Sequence, residues 1–238
     1  MSCFFVTGTD TNVGKTISSR AIIQVLQQNN IQIVGYKPIA CSDRDSLYGF
    51  SMEERSDYGQ EDNSDVLTLM ASTKESVSYQ DINSYSFEHT MPILTEDNKR
   101  VQIEKIDTQL KKLKEKYQTV LVEGTFGWQT PMNNQIRFSQ WAKEHNMPVI
   151  LVVGIKEGCI NHALLSAQSI IQSGLPLLGW VANRVNPCVG HYAELIELLT
   201  REINAPLLGK IPYVHKPENQ DLGKFITNIE PLLSIIKK

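Results

Sequence analysis

Short apolar runs alternate along this chain with segments whose apolar residues recur every three or four positions. The runs Cys3–Thr7, Ile31–Pro38, Thr119–Glu123, Pro148–Val153, Leu177–Asn183 and Pro206–Gly209 are mostly rich in Val, Ile and Leu and lack polar alternation. Strands buried on both faces of a parallel sheet read this way. Between them, Thr16–Gln28 places Ile17, Ala21, Ile22, Val25 and Leu26 on one side of a helix, and Val101–Tyr117 does the same with Ile103, Ile106, Leu110, Leu113 and Tyr117. Further helices are predicted over Asn161–Gln172, Val189–Glu202 and Gln220–Ile236. The alternation predicts an α/β fold: a doubly wound, mostly parallel sheet flanked by helices, with right-handed crossovers. Ligands on such sheets bind beyond the carboxyl ends of the strands, so chemistry is to be sought just after each strand.

Composition narrows the picture. Of 238 residues, 41% are hydrophobic, enough for one large core, and the whole chain, 1–238, reads as a single domain. The net charge of -3 offers no excess of positive charge for nucleic acid or an anionic membrane. The one basic run, Lys111 to Lys116, lies on the polar side of a predicted helix and reads as a solvated face. Cys3, Cys41, Cys159 and Cys188 are scattered without metal-ligand spacing. The N-terminus is too poor in apolar residues for a signal peptide, and no stretch is long and apolar enough to span a bilayer, so a cytoplasmic location is expected. The polar segment from Cys41 to Ser64 is the one long irregular stretch. It is expected to be disordered, with a functional lid as the other reading.

The strongest chemical signal is Gly8-Thr9-Asp10-Thr11-Asn12-Val13-Gly14-Lys15-Thr16, which follows the first strand and opens the first helix. This is the context of a phosphate-binding P-loop. Backbone N–H groups at a helix start converge on phosphates, Lys15 would reach the β- and γ-phosphates, and the Thr16 hydroxyl would ligate Mg²⁺. Five residues rather than the common four separate Gly8 from Gly14.

Other positions gain meaning from their place in the pattern. Lys37 is expected at the end of the second strand, as a second fixed cation. Asp65 and Glu123 are candidate carboxylates for Mg²⁺, a hard ion that takes oxygen ligands. The plainer readings are a helix N-cap for Asp65 and a strand-end carboxylate for Glu123. Asn183 closes the fifth predicted strand, where a turn residue and an adenine-binding amide are equally plausible. The turn Gly158-Cys159-Ile160-Asn161 precedes a helix and offers N–H groups to a carboxylate. Cys159 has no activating base in sight, and His162 is expected to be structural. Nothing marks His89, His145, His191 or His215 as catalysts or metal ligands.

The P-loop, extra residue included, resembles that of the dethiobiotin synthetases. The resemblance continues through Gly35-Tyr36-Lys37-Pro38, Asn63-Ser64-Asp65, Val122-Glu123-Gly124, Gly158 to His162, Gly179 to Asn183, Ala205 to Gly209 and Ile211-Pro212. It implies an ATP-dependent cyclo-ligase with the P-loop NTPase fold. Such an enzyme carboxylates 7,8-diaminononanoate with CO₂ and closes the ureido ring, giving dethiobiotin, ADP and phosphate. It also implies catalytic roles for Thr11, Lys15 and Lys37, and a nucleotide held by Asp10, Thr11, Asn12, Val13, Gly14, Lys15, Thr16, Asn183, Pro212 and Glu218. Mg²⁺ would sit on Thr16, Asp65 and Glu123. The substrate would meet Lys37, Cys41 and the turn Gly158, Cys159, Ile160 and Asn161, the turn coming from the partner in a homodimer.

The sequence departs from the family pattern at Cys41, where a serine is usual, at Phe126, where the resemblance implies a glycine next to the diamine chain and a phenyl ring would fill part of the substrate channel, and at Leu195, where an aromatic hydroxyl often stands. These departures leave open a paralogue that keeps the ATP site but serves another substrate. A third reading is a nucleotide-switched scaffold ATPase. Such partitioning ATPases carry a further lysine near the loop start, and residues 9 to 13 contain none.

Overall fold

The fold is seen in a computed structural model, which describes residues 2–41, 63–87 and 100–236. The chain runs β1 (Ser2–Gly8), α1 (Lys15–Gln28), β2 (Ile33–Cys41), α2 (Ser64–Ser72), α3 (Tyr79–Ile82), β3 (Asn83–Phe87), α4 (Ile103–Lys116), β4 (Thr119–Gly127) and α5 (Phe138–Glu144). It continues through β5 (Val149–Gly154), α6 (Cys159–Gln172), β6 (Leu177–Asn183), α7 (Tyr192–Glu202), β7 (Leu207–Ile211) and α8 (Glu230–Ile236). The expectation for the polar segment from Cys41 to Ser64 falls almost wholly outside the described residues.

The seven strands form one sheet in the order β3-β2-β4-β1-β5-β6-β7, and every strand pair in it is parallel. β1 lies between β4 and β5; the chain passes from β1 to β2 and the edge strand β3, returns to β4 beside β1, and then runs outward through β5 and β6 to β7. The carboxyl ends around β1 therefore flank the point where strand order reverses, the crevice where such sheets bind ligands. β1 is buried along its whole length, as its unbroken apolar run requires. Phe5 anchors it on one face, its ring 5.9 Å from Trp128, 5.8 Å from Phe138 and 6.5 Å from Trp141.

Three expectations are corrected. β3, Asn-Ser-Tyr-Ser-Phe, was not predicted: it is a short edge strand paired only with β2, and its polar residues carry no buried-strand signature. Lys37 is interior to β2 rather than at its end, because pairing with β3 carries the strand on to Cys41. The predicted helix Gln220–Ile236 is broken into a 3₁₀ turn at Gly223–Phe225 and the short α8. The physical reason is close packing: Ile226 bridges to Gly209 of β7, where a Cβ would come within 2.2 Å of the Phe225 carbonyl. A continuous helix cannot approach a strand that closely.

Candidate active site

The loop between β1 and α1 absorbs its extra residue by local geometry. Asn12 takes a left-handed backbone (φ 53°), which asparagine tolerates, and the fully buried Val13 tucks against Gly154 at the end of β5. Gly14 follows at φ 85°, and a Cβ there would sit 1.9 Å from Nδ2 of Asn183. The Asn183 amide instead donates to the Val13 carbonyl at 3.0 Å, tying the loop to the end of β6. Its Oδ1 is thereby left as the acceptor face of the amide. Lys15, the first residue of α1, is buried and donates from Nζ to the Asp10 carbonyl at 2.9 Å, so it arches across the loop. Burial, and then the nearby Lys37 charge, lower its pKa to about 8.

Opposite the loop is a clamp of opposite charges. Lys37 Nζ lies 2.6 Å from Oε1 of Glu123 and 3.0 Å from Oδ2 of Asp65. The Thr16 hydroxyl donates to the same Glu123 oxygen at 2.7 Å. Lys37 is 2% exposed and Glu123 not at all, whereas the Asp65 side chain is 39% exposed at the mouth. Burial alone would lower the Lys37 pKa, but Asp65 and Glu123 together outweigh it and hold the ammonium charged well above its ordinary value. At Asp65, desolvation raises the carboxyl pKa, yet the Lys37 charge and hydrogen bonds bring it below normal. Asp65 is not the N-cap. Asn63 caps α2, accepting from the N–H groups of Asp65 and Val66, and so leaves the Asp65 carboxylate free to face Lys37.

Clamp and loop border a cavity of about 950 Å³. Thr11, Asn12, Gly14, Lys15, Thr16, Lys37, Cys41, Asp65 and Glu218 all line it. Asp10 and Val13 do not line it: Val13 is buried, and the partly exposed Asp10 carboxylate accepts from the Thr11 N–H at 2.7 Å. Asp10 also lies 3.6 Å from Lys156. Pro212 is exposed just beyond β7 and does not line this cavity. The turn Gly158, Cys159, Ile160 and Asn161 is not brought there either. It opens α6, and its Gly158, Cys159 and Ile160, without Asn161, line a second cavity of about 440 Å³ with His191 and Leu195. Cys159 is buried and His162 exposed on the same helix.

The clamp suits a hard divalent cation. Oε2 of Glu123 is buried with no hydrogen-bond partner, beside the Thr16 hydroxyl and within one lysine's reach of Asp65. Among the described residues no three His, Cys, Asp or Glu side chains cluster, but Mg²⁺ typically takes one or two carboxylates and completes its shell with phosphate oxygens and water. Sequence reasoning missed Phe87 and Tyr79 as cavity walls. Phe126, whose ring the sequence reading expected to fill part of the substrate channel, does line the cavity, whereas Phe87 lies on the unpredicted strand.

Comparisons with known proteins agree with this geometry. The family model described as "AAA domain" matches residues 3–221. The ATP-dependent dethiobiotin synthetase of Mannheimia succiniciproducens is 64% identical over 233 residues, covering 98% of this chain and 96% of that one. A relative of the same name from Pasteurella multocida is 61% identical, with 98% and 96% covered. Among solved structures, the MinC:MinD cell division protein complex of Aquifex aeolicus aligns with a TM-score of 0.55 at 15% identity, covering 100% of this chain and 97% of that one. A ParA family ATPase of Chlorobium tepidum aligns at 0.53 and 12%, covering 99% and 96%. At such identities these structures speak for the P-loop NTPase fold alone.

Proposed function

This chain belongs to the ATP-dependent dethiobiotin synthetase family, and from that premise we propose how its cleft carries out the ring-closing ligation of biotin synthesis. The substrates are 7,8-diaminononanoate, CO₂ and ATP. One amine takes up CO₂ as a carbamate, whose oxygen attacks the γ-phosphorus of ATP. The bond to ADP breaks, leaving a carbamic-phosphoric anhydride. The second amine then attacks the carbamoyl carbon, phosphate leaves, and the ureido ring is closed.

The observation that carries this reading is the Lys37 ammonium held between Asp65 and Glu123, beside the Thr16 hydroxyl and across from the P-loop. Phosphoryl transfer asks mainly for positioning and charge neutralisation. Lys15 on the β- and γ-phosphates, the loop N–H groups at the start of α1 and Lys37 on the carbamate answer both needs, and the exposed Thr11 hydroxyl borders the same space. Thr16, Asp65 and Glu123 would hold Mg²⁺, which when bound neutralises charge on the phosphates. Asn183 would accept from the adenine amino group through Oδ1. Glu218, at the cavity rim, would meet the ribose, and Pro212 would border the nucleotide.

The turn from Gly158 to Asn161 would bind the substrate carboxylate across a homodimer interface. Two features support that reading: the turn lies away from the main cavity, and α6 exposes Leu165 (58%) and Ile171 (44%). Among the described residues no helix is long and apolar enough to cross a membrane, and a cytoplasmic location fits such an enzyme. The deciding experiment measures ADP release by the purified protein. Release should require both the diamine and bicarbonate, and should vanish in Lys15→Ala and Lys37→Ala. ADP release indifferent to the diamine would overturn the proposal.

A further inference from the structure

The register between β1 and β4 slips beside the clamp. Val6 pairs with Glu123 but Gly8 with Gly127, so β4 takes four steps where β1 takes two. The surplus residues form a bulge over Gly124, Thr125 and Phe126, and bulges beside active sites re-aim side chains. Thr125 pins the bulge to β2 by donating from its buried hydroxyl to the Ile39 carbonyl. Phe126 is left in the left-handed region at φ 61°, an uncommon conformation for a bulky side chain. It lines the main cavity.

Across β2 stands its counterpart. Sheet order β3-β2-β4 puts β2 between the two strands, and Phe87 of β3 pairs in register with Cys41 at the end of β2. Phe87 also lines the cavity and is held in place by stacking on Tyr85, ring centroids 6.3 Å apart and planes 10° apart. Tyr85 is fixed in turn by Lys105, 4.4 Å over its ring, and by its hydroxyl, which accepts from the Gln102 N–H at 3.0 Å. Two phenyl rings thus flank the carboxyl end of β2 in a cleft otherwise walled largely by Lys, Asp, Asn, Ser and Thr.

We propose that Phe87 and Phe126 form an aromatic slot that selects the hydrocarbon body of the substrate, and that Phe126 is a specificity-determining residue. The inference rests on the diamine reading of the cleft. A diamine with a carboxylate at the far end of a methylene chain has a polar reacting end for Lys37 and an apolar body that gains by leaving water. A slot of this kind acts on ground-state and transition-state binding alike, so it sets KM rather than kcat.

The test is steady-state kinetics on the full-length enzyme with 7,8-diaminononanoate and a homologue shorter by two methylenes. Wild type should prefer the longer chain by about tenfold in kcat/KM, the scale expected for burial of two methylene groups. Phe126→Ala, which keeps the backbone conflict but removes the ring, should raise the diamine KM about tenfold and flatten the chain-length preference. It should leave kcat and the ATP KM within about twofold. Phe126→Gly should match it, Phe87→Ala should act in the same direction, and Phe126→Tyr should behave as wild type. An unchanged KM and chain-length preference in Phe126→Ala would overturn the slot. So would a Phe126→Gly enzyme more active than wild type, which would mark the ring as an obstruction. Failure of wild type to turn over either diamine would sink the functional reading instead, so the two failures are distinguishable.

Discussion

Lys37 and Glu123 meet across neighbouring strands with Nζ 2.6 Å from Oε1, the lysine 2% exposed and the carboxylate wholly buried. Ion pairs at such depth are retained at a desolvation cost, and removing one partner strands the other. Lys37→Met is therefore expected to destabilise the protein by about 3–5 kcal/mol, because Glu123 would be left charged and unpaired. Pairing it with Glu123→Gln should recover much of that loss while activity stays abolished. Urea denaturation of the two variants, read beside ADP release, checks both halves. A double variant no more stable than the single would argue against a strongly coupled pair.

Gly14 is where the P-loop meets β6. Gly14→Ala sets a methyl group against the Asn183 amide and imposes a left-handed backbone that costs an alanine about 1–2 kcal/mol. Nucleotide affinity should fall at least about tenfold, since about 1.4 kcal/mol of distortion in the loop suffices for that. Adding Asn183→Ala relieves the clash but leaves the backbone strain and removes both the proposed adenine acceptor and the tie to the Val13 carbonyl, so the double variant should not regain wild-type binding. Calorimetric titration with ADP reads both effects.

Cys3 sits in the core with its thiol pushed up to about 12, chiefly by burial, with Lys114 pulling slightly the other way. Between the ordinary value of 9.0 and about 12 the folded state holds a proton that the unfolded state releases. Stability from this group is therefore full below pH 9 and declines as pH rises toward 12. Cys3→Ala should lose stability less steeply than wild type over pH 9 to 11 in urea titrations. The buried thiol should also resist alkylation in the native state at pH 8, whereas the exposed Cys188 reacts, which peptide mapping can follow.

Asp107 joins α4 to α5 by accepting from the Trp141 indole N–H at 2.7 Å, with His145 Nε2 at 2.8 Å from the same oxygen. Trp141 is fully buried against Phe5 of β1. Asp107→Ala leaves that indole without its partner and should cost about 1–3 kcal/mol. Denaturation curves followed by tryptophan fluorescence measure it, and catalytic constants should stay near wild type.

Much of the frame was legible before any coordinates. Uninterrupted Val, Ile and Leu runs identify strands shielded on both faces, and the three-to-four spacing of Ile103, Ile106, Leu110 and Leu113 identifies α4. Both signals are local, written in the residues that do the packing. β3 escaped because an edge strand of Asn, Ser, Tyr, Ser and Phe owes its existence to pairing with β2 rather than to its own apolarity. The C-terminal segment was misread as one helix because its apolar spacing is helical, while the contact of Ile226 with Gly209 that breaks it comes from the preceding strand, outside the segment itself.

The linear order of residues by itself determined the parallel α/β architecture, the phosphate loop and the kinds of side chain available for charge neutralisation. Only the three-dimensional fold decided that Lys37 is clasped by Asp65 and Glu123, that Asn183 braces the loop through Val13, and that Phe87 and Phe126 stand on either side of one strand end. Periodicity and loop motifs depend on neighbours a few residues apart. These contacts join residues tens to more than a hundred positions apart, and only sheet order, register and the packing of α2 and the phosphate loop against the strand ends bring them within reach.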